Sequence, residues 1–224
     1  MKITVIMALT ICSLNINRAL DKKTTELVQL TIERKIDILG IIEADTIPTS
    51  PPSTVPGFQT IYPLLCKGEK ARLIVWVRNP INDMINIRYD LMSKDCPSIW
   101  LQINGDIGKV LICFYYREWF GENKLDKSTE AQRKKYNILL SQFIQAGSCC
   151  KKIVCLGDAN LNSSKFNDPS YYLRNLVNDL ETSLSEAGLI FHDLGPTYQS
   201  FKSNASGVKT SSNLDHLYYS DSNH

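Results

Sequence analysis

The sequence predicts an α+β (α/β) chain in which two packed sheets carry helices on their outer sides. Three observations lead there. Apolar, β-branched runs of strand length recur along most of the chain. Stretches with helical spacing separate these runs in blocks rather than after every strand. Polar residues able to bind a metal or a phosphate stand where several strands give way to loops, which is where layered folds gather their chemistry.

The composition is that of a globular chain, with 43% hydrophobic and 21% charged residues in 224. Disordered, collagenous and disulfide-knot classes are excluded. Domains commonly run about 100–200 residues, so a single domain over residues 1–224 is expected. The net charge of +2 neither demands a polyanionic partner nor excludes one. Seven cysteines, an odd number without a CxxC pair, argue against a zinc site or a disulfide framework and for a reducing compartment. No apolar run reaches the roughly 18–20 residues that span a bilayer.

The elements follow in order. Ile3 to Leu14 reads as a buried strand, since Ile3, Thr4, Val5, Ile6, Thr10 and Ile11 are β-branched. The same segment imitates a signal peptide, but its single Lys is a thin positive region and no small-x-small cleavage site follows. ALDKKTTELVQLTIERK reads as a helix with an apolar stripe of Leu20, Leu27, Leu30 and Ile32; Asp21 starts it and Arg34 and Lys35 end it, as the helix dipole prefers. IDILGIIEA is a short apolar strand ending on charge, and the proline-rich stretch 46–57 is a loop.

Five strand-like runs come next, FQTIYPLL, RLIVWVR, INIRYDL, SIWLQI and KVLICFYY, with turn signals between them. STEAQRKKYNILLSQFIQAG predicts a helix with Leu139, Leu140, Phe143 and Ile144 on one face and a stop at Gly147. Its Arg133-Lys134-Lys135 run reads as a solvated face. KKIVCLGDANLN is a strand running into a polar loop. DPSYYLRNLVNDLETSLSEAG is a helix with Pro169 in its first turn and Gly188 after its end. LIFHDL, TYQSF and NLDHLYYS close the chain as three strands.

The strand ends carry the chemistry. Glu43 follows four residues of LGII, and a carboxylate there is costly to bury unless it is paired or bound to a cation. A hard cation such as Mg²⁺ takes one or two carboxylates, with water and substrate phosphate completing its shell. In GDAN, Asp158 and Asn160 stand at i and i+2, which on an extended segment aims both to one side. The acid can accept a proton and the amide can donate to a phosphate oxygen. Asn15 and Asn17 end the first strand or cap the helix after it. Tyr115, Tyr116 and Arg117 end another strand, and Asp215 and His216 open the last. Two carboxylates, amide donors and a phenol together suit phosphodiester chemistry.

The order SLNINRAL, GIIEAD, CFYYREW, LGDANLN and SNLDHLYYS resembles the endonuclease/exonuclease/phosphatase superfamily, and within it the endonuclease domains of LINE-type (non-LTR) retrotransposons. The resemblance runs from Ile3 to Tyr219. It implies a DNase I-like fold, a four-layered α/β/β/α sandwich of two mixed sheets. It implies that Glu43 binds Mg²⁺, with Mn²⁺ as the alternative ion. Asn15, Tyr116, Asp158, Asn160 and Asp215 join Glu43 as catalytic residues. Asp158 orients or deprotonates the attacking water, Asn160 steadies the phosphate, and Asp215 supports the site. Tyr115 replaces Tyr116 if the register slips by one. Asn17, Arg117 and Thr197 become substrate contacts, with Lys67, Lys70 and Arg72 as further phosphate partners.

The resemblance also implies an activity, the nicking of target DNA to leave a 3′-hydroxyl for reverse transcription, and hence a nuclear location. It departs in one place. The family carries a final S-D-H segment beyond the LDH strand, whereas SDSNH follows the Tyr219 strand directly here. His224 is not expected to act, and His192 reads as a satisfied structural histidine. The domain is therefore expected to be truncated at its C-terminal strand, with a reverse transcriptase domain or another chain as a partner that could complete it. Two alternatives stand beside the endonuclease: a catalytically impaired DNA-binding relic, and another phosphodiesterase or phosphatase of the superfamily.

Overall fold

The computed structural model describes residues 9–48, 55–105, 108–118, 129–203 and 209–220. The first half of the Ile3–Leu14 run, the middle of the proline-rich loop and His224 lie outside them.

A four-stranded sheet comes first. β1 (Ile11–Asn15), β2 (Ile38–Thr46), β3 (Phe58–Ile61) and β4 (Ala71–Arg78) lie in the order β1-β2-β4-β3. β1 is parallel to β2, and the other pairs are antiparallel. A six-stranded sheet follows from β5 (Ile85–Ile87), β6 (Ser98–Gly105), β7 (Gly108–Tyr116), β8 (Ile153–Asp158), β9 (Leu189–His192) and β12 (Asp215–Ser220), in the order β5-β6-β7-β8-β12-β9. It is mixed too, with β7 and β8 parallel. β10 (Tyr198–Ser203) and β11 (Lys209–Ser212) form a separate antiparallel ribbon. The helices are α1 (Leu20–Glu33), the single turn α2 (Asn79–Asn82), α3 (Thr129–Cys149) and α4 (Arg174–Ala187).

The side-chain alternation of the strands explains the layering. On β2, Ile38 and Ile42 face inward with Leu73, Val75 and Val77 of β4, and meet Leu101, Ile112 and Phe114 of the second sheet. Leu39 and Ile41 face outward with Trp76 onto Leu27 of α1. The outer side of the larger sheet sends Trp100, Cys113 and Tyr115 onto Leu139 and Phe143 of α3 and Leu176 and Leu180 of α4. Sheets buried on both faces read as continuous apolar runs, as IDILGII and RLIVWV do. The expected four layers, α/β/β/α, are present. Gly40 sits between the sheets, and a Cβ there would fall 2.1 Å from the Phe114 ring.

Several elements differ from the sequence reading. α3 runs through Gly147 to Cys149, so that glycine is no stop. A Cβ on it would meet the Ala187 carbonyl oxygen at 2.5 Å, which shows that it lets α3 and α4 approach closely. Arg133 is not simply solvated. It grips Asp179 of α4 through Nε at 2.5 Å and Nη2 at 2.7 Å. α4 begins at Arg174, well after Pro169, because 3-10 and turn structure occupies the segment before it. The polar KTSS strand β11 lacked the apolar pattern that reveals strands, and it appears only as the partner of β10. His192 is exposed, because among the described residues β9 is the edge of its sheet and pairs only with β12.

Candidate active site

The two sheets bring their polar strand ends together. On the larger sheet, Tyr116 pairs in register with Asp158, and Asp158 with Asp215. The three residues thus form one row across β7, β8 and β12. Tyr115, one position earlier, points to the opposite face and packs against Phe143 and Tyr218. The phenol facing the site belongs to Tyr116, not to Tyr115.

On the smaller sheet the pairing of β2 with β4 slips. Ile42 pairs with Leu73 and Thr46 with Ala71, so β2 advances four residues while β4 advances two. Glu43, Ala44 and Asp45 occupy this bulge, with Glu43 at φ 56° and Asp45 at φ 51°. Left-handed backbone is costly for residues other than glycine and concentrates at functional sites. Here it swings both carboxylates out of the ladder.

Asn15, at the end of β1, joins the two sheets. Its Nδ2 donates to Glu43 Oε1 at 3.3 Å and to Asp158 Oδ2 at 3.0 Å. Its Oδ1 accepts from the Asn17 backbone N–H at 2.9 Å. Asn15 is therefore no helix cap, and α1 begins after Ala19 with no side-chain cap. Asn17 is exposed at φ 49°, where it turns the chain. The Tyr116 hydroxyl donates to Glu43 Oε1 at 3.1 Å and accepts from Arg72 Nη2 at 3.2 Å.

The GDAN segment is a turn rather than an extended run. Asn160 takes φ 47°, and its backbone N–H donates to Asp158 Oδ1 at 2.7 Å. Its Nδ2 donates to the Arg117 carbonyl at 2.7 Å. An amide nitrogen carries two hydrogens, so this bond does not exhaust it. Burial pushes the Asp158 carboxyl up to about 7; the nearby Asp215 charge adds to the rise, while the Asn160 and Asn15 hydrogen bonds and Arg117 oppose it. Burial raises Asp215 as well, against a lowering bond from Thr197.

Two expected substrate contacts have other duties. Arg117 was expected to meet a phosphate, but it is only 4% exposed. Its Nε donates to the Ala159 carbonyl, its Nη2 to the Asn160 carbonyl at 2.5 Å and its Nη1 to Gln132 at 3.3 Å. It clamps the GDAN turn from beneath. Thr197 Oγ1 accepts from the backbone N–H groups of Leu214 and Asp215, both at 3.0 Å, and so positions Asp215. His216 is buried away from the carboxylates. Its Nδ1 lies 2.6 Å from the Tyr218 hydroxyl and its Nε2 2.9 Å from the Leu161 carbonyl.

The sequence reading passed over Asp45 and offered Arg72 as a phosphate contact, without its link to Asp45. Asp45 binds Arg18 at 3.2 Å and Arg72 at 2.6 Å. No local pattern in EAD marked it, because the slip between β2 and β4 takes Glu43 and Asp45 out of strand alternation.

Among the described residues no three His, Cys, Asp or Glu side chains converge as a metal-ligand set. The donor chemistry still fits a hard cation held mainly by water and substrate. Glu43 is a partly exposed carboxylate, and the Asn15 amide places it opposite the Asp158 carboxylate. Beside Asn160 an open cavity of about 320 Å³ is lined by Asn162, Lys165, Tyr171, Tyr172, Ser212 and Leu214. No helix of the described residues is long and apolar enough to cross a membrane.

No family model matches the chain, and no curated protein matches it by sequence. Solved structures do match. The endonuclease domain of TRAS1, a telomere-specific non-LTR retrotransposon, superposes with a TM-score of 0.63 at 18% identity, covering 96% of this chain and 86% of that one. The 3′ phosphatase NExo from Neisseria, solved with a product DNA hairpin, gives 0.65 at 16% identity over 95% and 87%. The AP endonuclease of Leishmania major gives 0.62 at 12% identity over 95% and 79%. The chain has the DNase I-like fold of the endonuclease/exonuclease/phosphatase proteins.

Proposed function

We propose that this chain is a Mg²⁺-dependent DNA endonuclease that nicks target DNA to prime reverse transcription. One observation carries the reading: a single amide, Asn15 Nδ2, holds Glu43 and Asp158 together at the junction of the two sheets. The DNA-processing proteins among the structural neighbours support phosphodiesters as the substrate class.

Glu43 would hold the cation, Mg²⁺ or Mn²⁺, and the ion's chemistry is to polarise the phosphoryl group. The chain's own groups do the rest. Asp158, poised at about 7, accepts the proton of the attacking water at Oδ2 or Oδ1. Asn160 has an amide hydrogen left to donate where negative charge develops on the phosphate oxygens, while Asn15 spends both of its own on holding Glu43 and Asp158. Tyr116 donates to Glu43 and fixes its orientation. Asp215, set by Thr197, raises the basicity of Asp158 by like-charge repulsion. The cavity beside Asn160 offers Tyr172 and Lys165 to the strand next to the scissile phosphate. A reverse transcriptase domain as partner, and the nucleus as location, follow from the same reading.

A DNA-binding form of the same fold without turnover is the second reading. It is favoured by the two described histidines, one turned toward Leu161 and Tyr218 and the other exposed on an edge strand.

The test is nicking of supercoiled plasmid by the purified chain, with Mg²⁺ and with EDTA, beside Glu43→Ala. Open circles that need the metal and vanish in the variant support the endonuclease. A folded chain that binds DNA and never nicks it supports the second reading. Turnover of poly(A) or inositol phosphates in place of DNA would move the chain to another class of the superfamily.

A further inference from the structure

Arg72 lies at the centre of a network that the proposed chemistry does not account for. Its Nε stands 2.6 Å from Asp45 Oδ1, both atoms shut off from solvent in an ion-pair contact rather than a straight hydrogen bond. Its Nη2 donates to the Tyr116 hydroxyl at 3.2 Å and lies 4.0 Å from Glu43 Oε2. Its guanidinium carbon lies 5.3 Å from the centre of the Tyr116 ring. Asp45 is held from its other side by Arg18. One planar fork therefore spans the left-handed bulge and the phenol on the opposite sheet.

We propose that Arg72, anchored by Asp45, is a positioning residue that holds Tyr116 and Glu43 in their working orientation. The inference rests on the endonuclease reading and deepens it. A phenol that both accepts from Arg72 and donates to Glu43 has its single proton directed at the carboxylate. Without Arg72 the hydroxyl can turn, and Glu43 loses the contact that fixes its tilt. Lysine cannot replace the fork, because a point-like ammonium cannot reach Asp45 and Tyr116 with the same planar geometry. Asp45 explains why the bulge carries two carboxylates: Glu43 faces the reaction, and Asp45 orients the arginine that steadies it.

The experiment compares wild type, Arg72→Gln, Arg72→Lys and Asp45→Asn in two assays. In steady-state nicking with Mg²⁺, both Arg72 variants should lose about 10- to 100-fold in kcat with KM nearly unchanged, as expected for misplaced groups. Asp45→Asn should fall in the same direction by less. In ¹⁵N spectra, the Arg72 Nε–H signal, assigned by its loss in Arg72→Lys, should exchange slowly in wild type and quickly in Asp45→Asn. A raised KM with a shallower salt dependence and intact kcat would make Arg72 a phosphate contact and overturn the inference. So would fast Nε–H exchange in wild type, whatever the activity. Unaltered nicking by Arg72→Gln sinks the inference alone. A wild type that never nicks sinks the endonuclease reading first, and the reaction Arg72 would serve goes with it.

Discussion

Asn15 donates from Nδ2 to Asp158 Oδ2 over 3.0 Å, across 143 positions of sequence. The bond ties the first strand of one sheet to the central strand of the other. It also keeps a buried carboxylate solvated by protein. Asn15→Ala should therefore cost stability as well as turnover. Leaving a buried acceptor without its donor typically costs about 1–3 kcal/mol. The same variant removes the amide that holds Glu43 beside Asp158, so nicking should fall by about 100-fold as the two carboxylates lose their spacing. Chemical denaturation and plasmid nicking on one preparation check both. Full activity with lowered stability would reduce Asn15 to a structural tie.

Much of this site could be read from residue order, for a physical reason. Glu43, Tyr116, Asp158 and Asp215 each interrupt or end an apolar strand, and a charged or phenolic group there stands out against its neighbours. Which tyrosine faced the site could not be read so simply. That choice depends on the parity of β7, which its register with Asp158 decides. Asp45 and Arg72 stayed hidden because a two-residue slip in pairing brings them together, and no local pattern encodes a slip. Arg117 misled for the opposite reason. An arginine at a strand end suggests solvent, whereas this one turns under the GDAN loop to meet carbonyls that the turn leaves unpaired. β11 was illegible because its KTSS sequence is polar on both faces.

Asp158 should place stability and activity in opposition. Burial and Asp215 raise its folded pKa from 3.8 to about 7, so the fold prefers the protonated acid. Its contribution to stability is complete below 3.8 and is lost as pH rises through about 7. Asp158→Asn resembles the neutral form. In metal-free buffer it should melt above wild type near about pH 8, and the gap should close near about pH 4, with a ceiling of a few kcal/mol. The same variant should lose about 100-fold or more in nicking, because the amide cannot take a proton from water. Melting curves across that range, beside one nicking assay, settle it. A variant that melts no higher at alkaline pH would mean the charged form is not strained.

His216 should act with the reverse sign. Burial lowers its folded pKa from 6.5 to about 4, with Leu161 and Asn213 backbone groups opposing the shift. The neutral ring is the native one, packed between Phe166 and Phe191. Its contribution is present above 6.5 and is lost as pH falls through about 4. The span corresponds to about 3 kcal/mol of acid destabilisation. His216→Gln can keep a hydrogen bond to the Leu161 carbonyl yet cannot titrate. Its unfolding free energy should vary less between about pH 7 and about pH 4 than that of wild type, although it starts lower. Equal slopes in the two proteins would assign the acid sensitivity to other groups.

Arg117 offers the sharpest contrast between a surface contact and an internal clamp. A phosphate-binding arginine, once removed, weakens DNA binding almost uniformly and flattens the salt dependence by about one counterion. The geometry leads to a different outcome. The guanidinium supports the carbonyls of Ala159 and Asn160, reaches Gln132 and lies 5.7 Å from the centre of the Tyr136 ring. Arg117→Met keeps much of the volume and removes every one of those donors. The carbonyls of the GDAN turn would lose their partner inside the protein, a defect that typically costs about 1–3 kcal/mol for each group left unpaired. Asn160 would then lose the rigid backbone that holds its side chain against the Arg117 carbonyl. The variant should therefore melt well below wild type. At temperatures where it stays folded, kcat should drop while the salt slope of DNA binding keeps its wild-type value. A changed salt slope with an unchanged melting temperature would return Arg117 to the DNA-contacting surface.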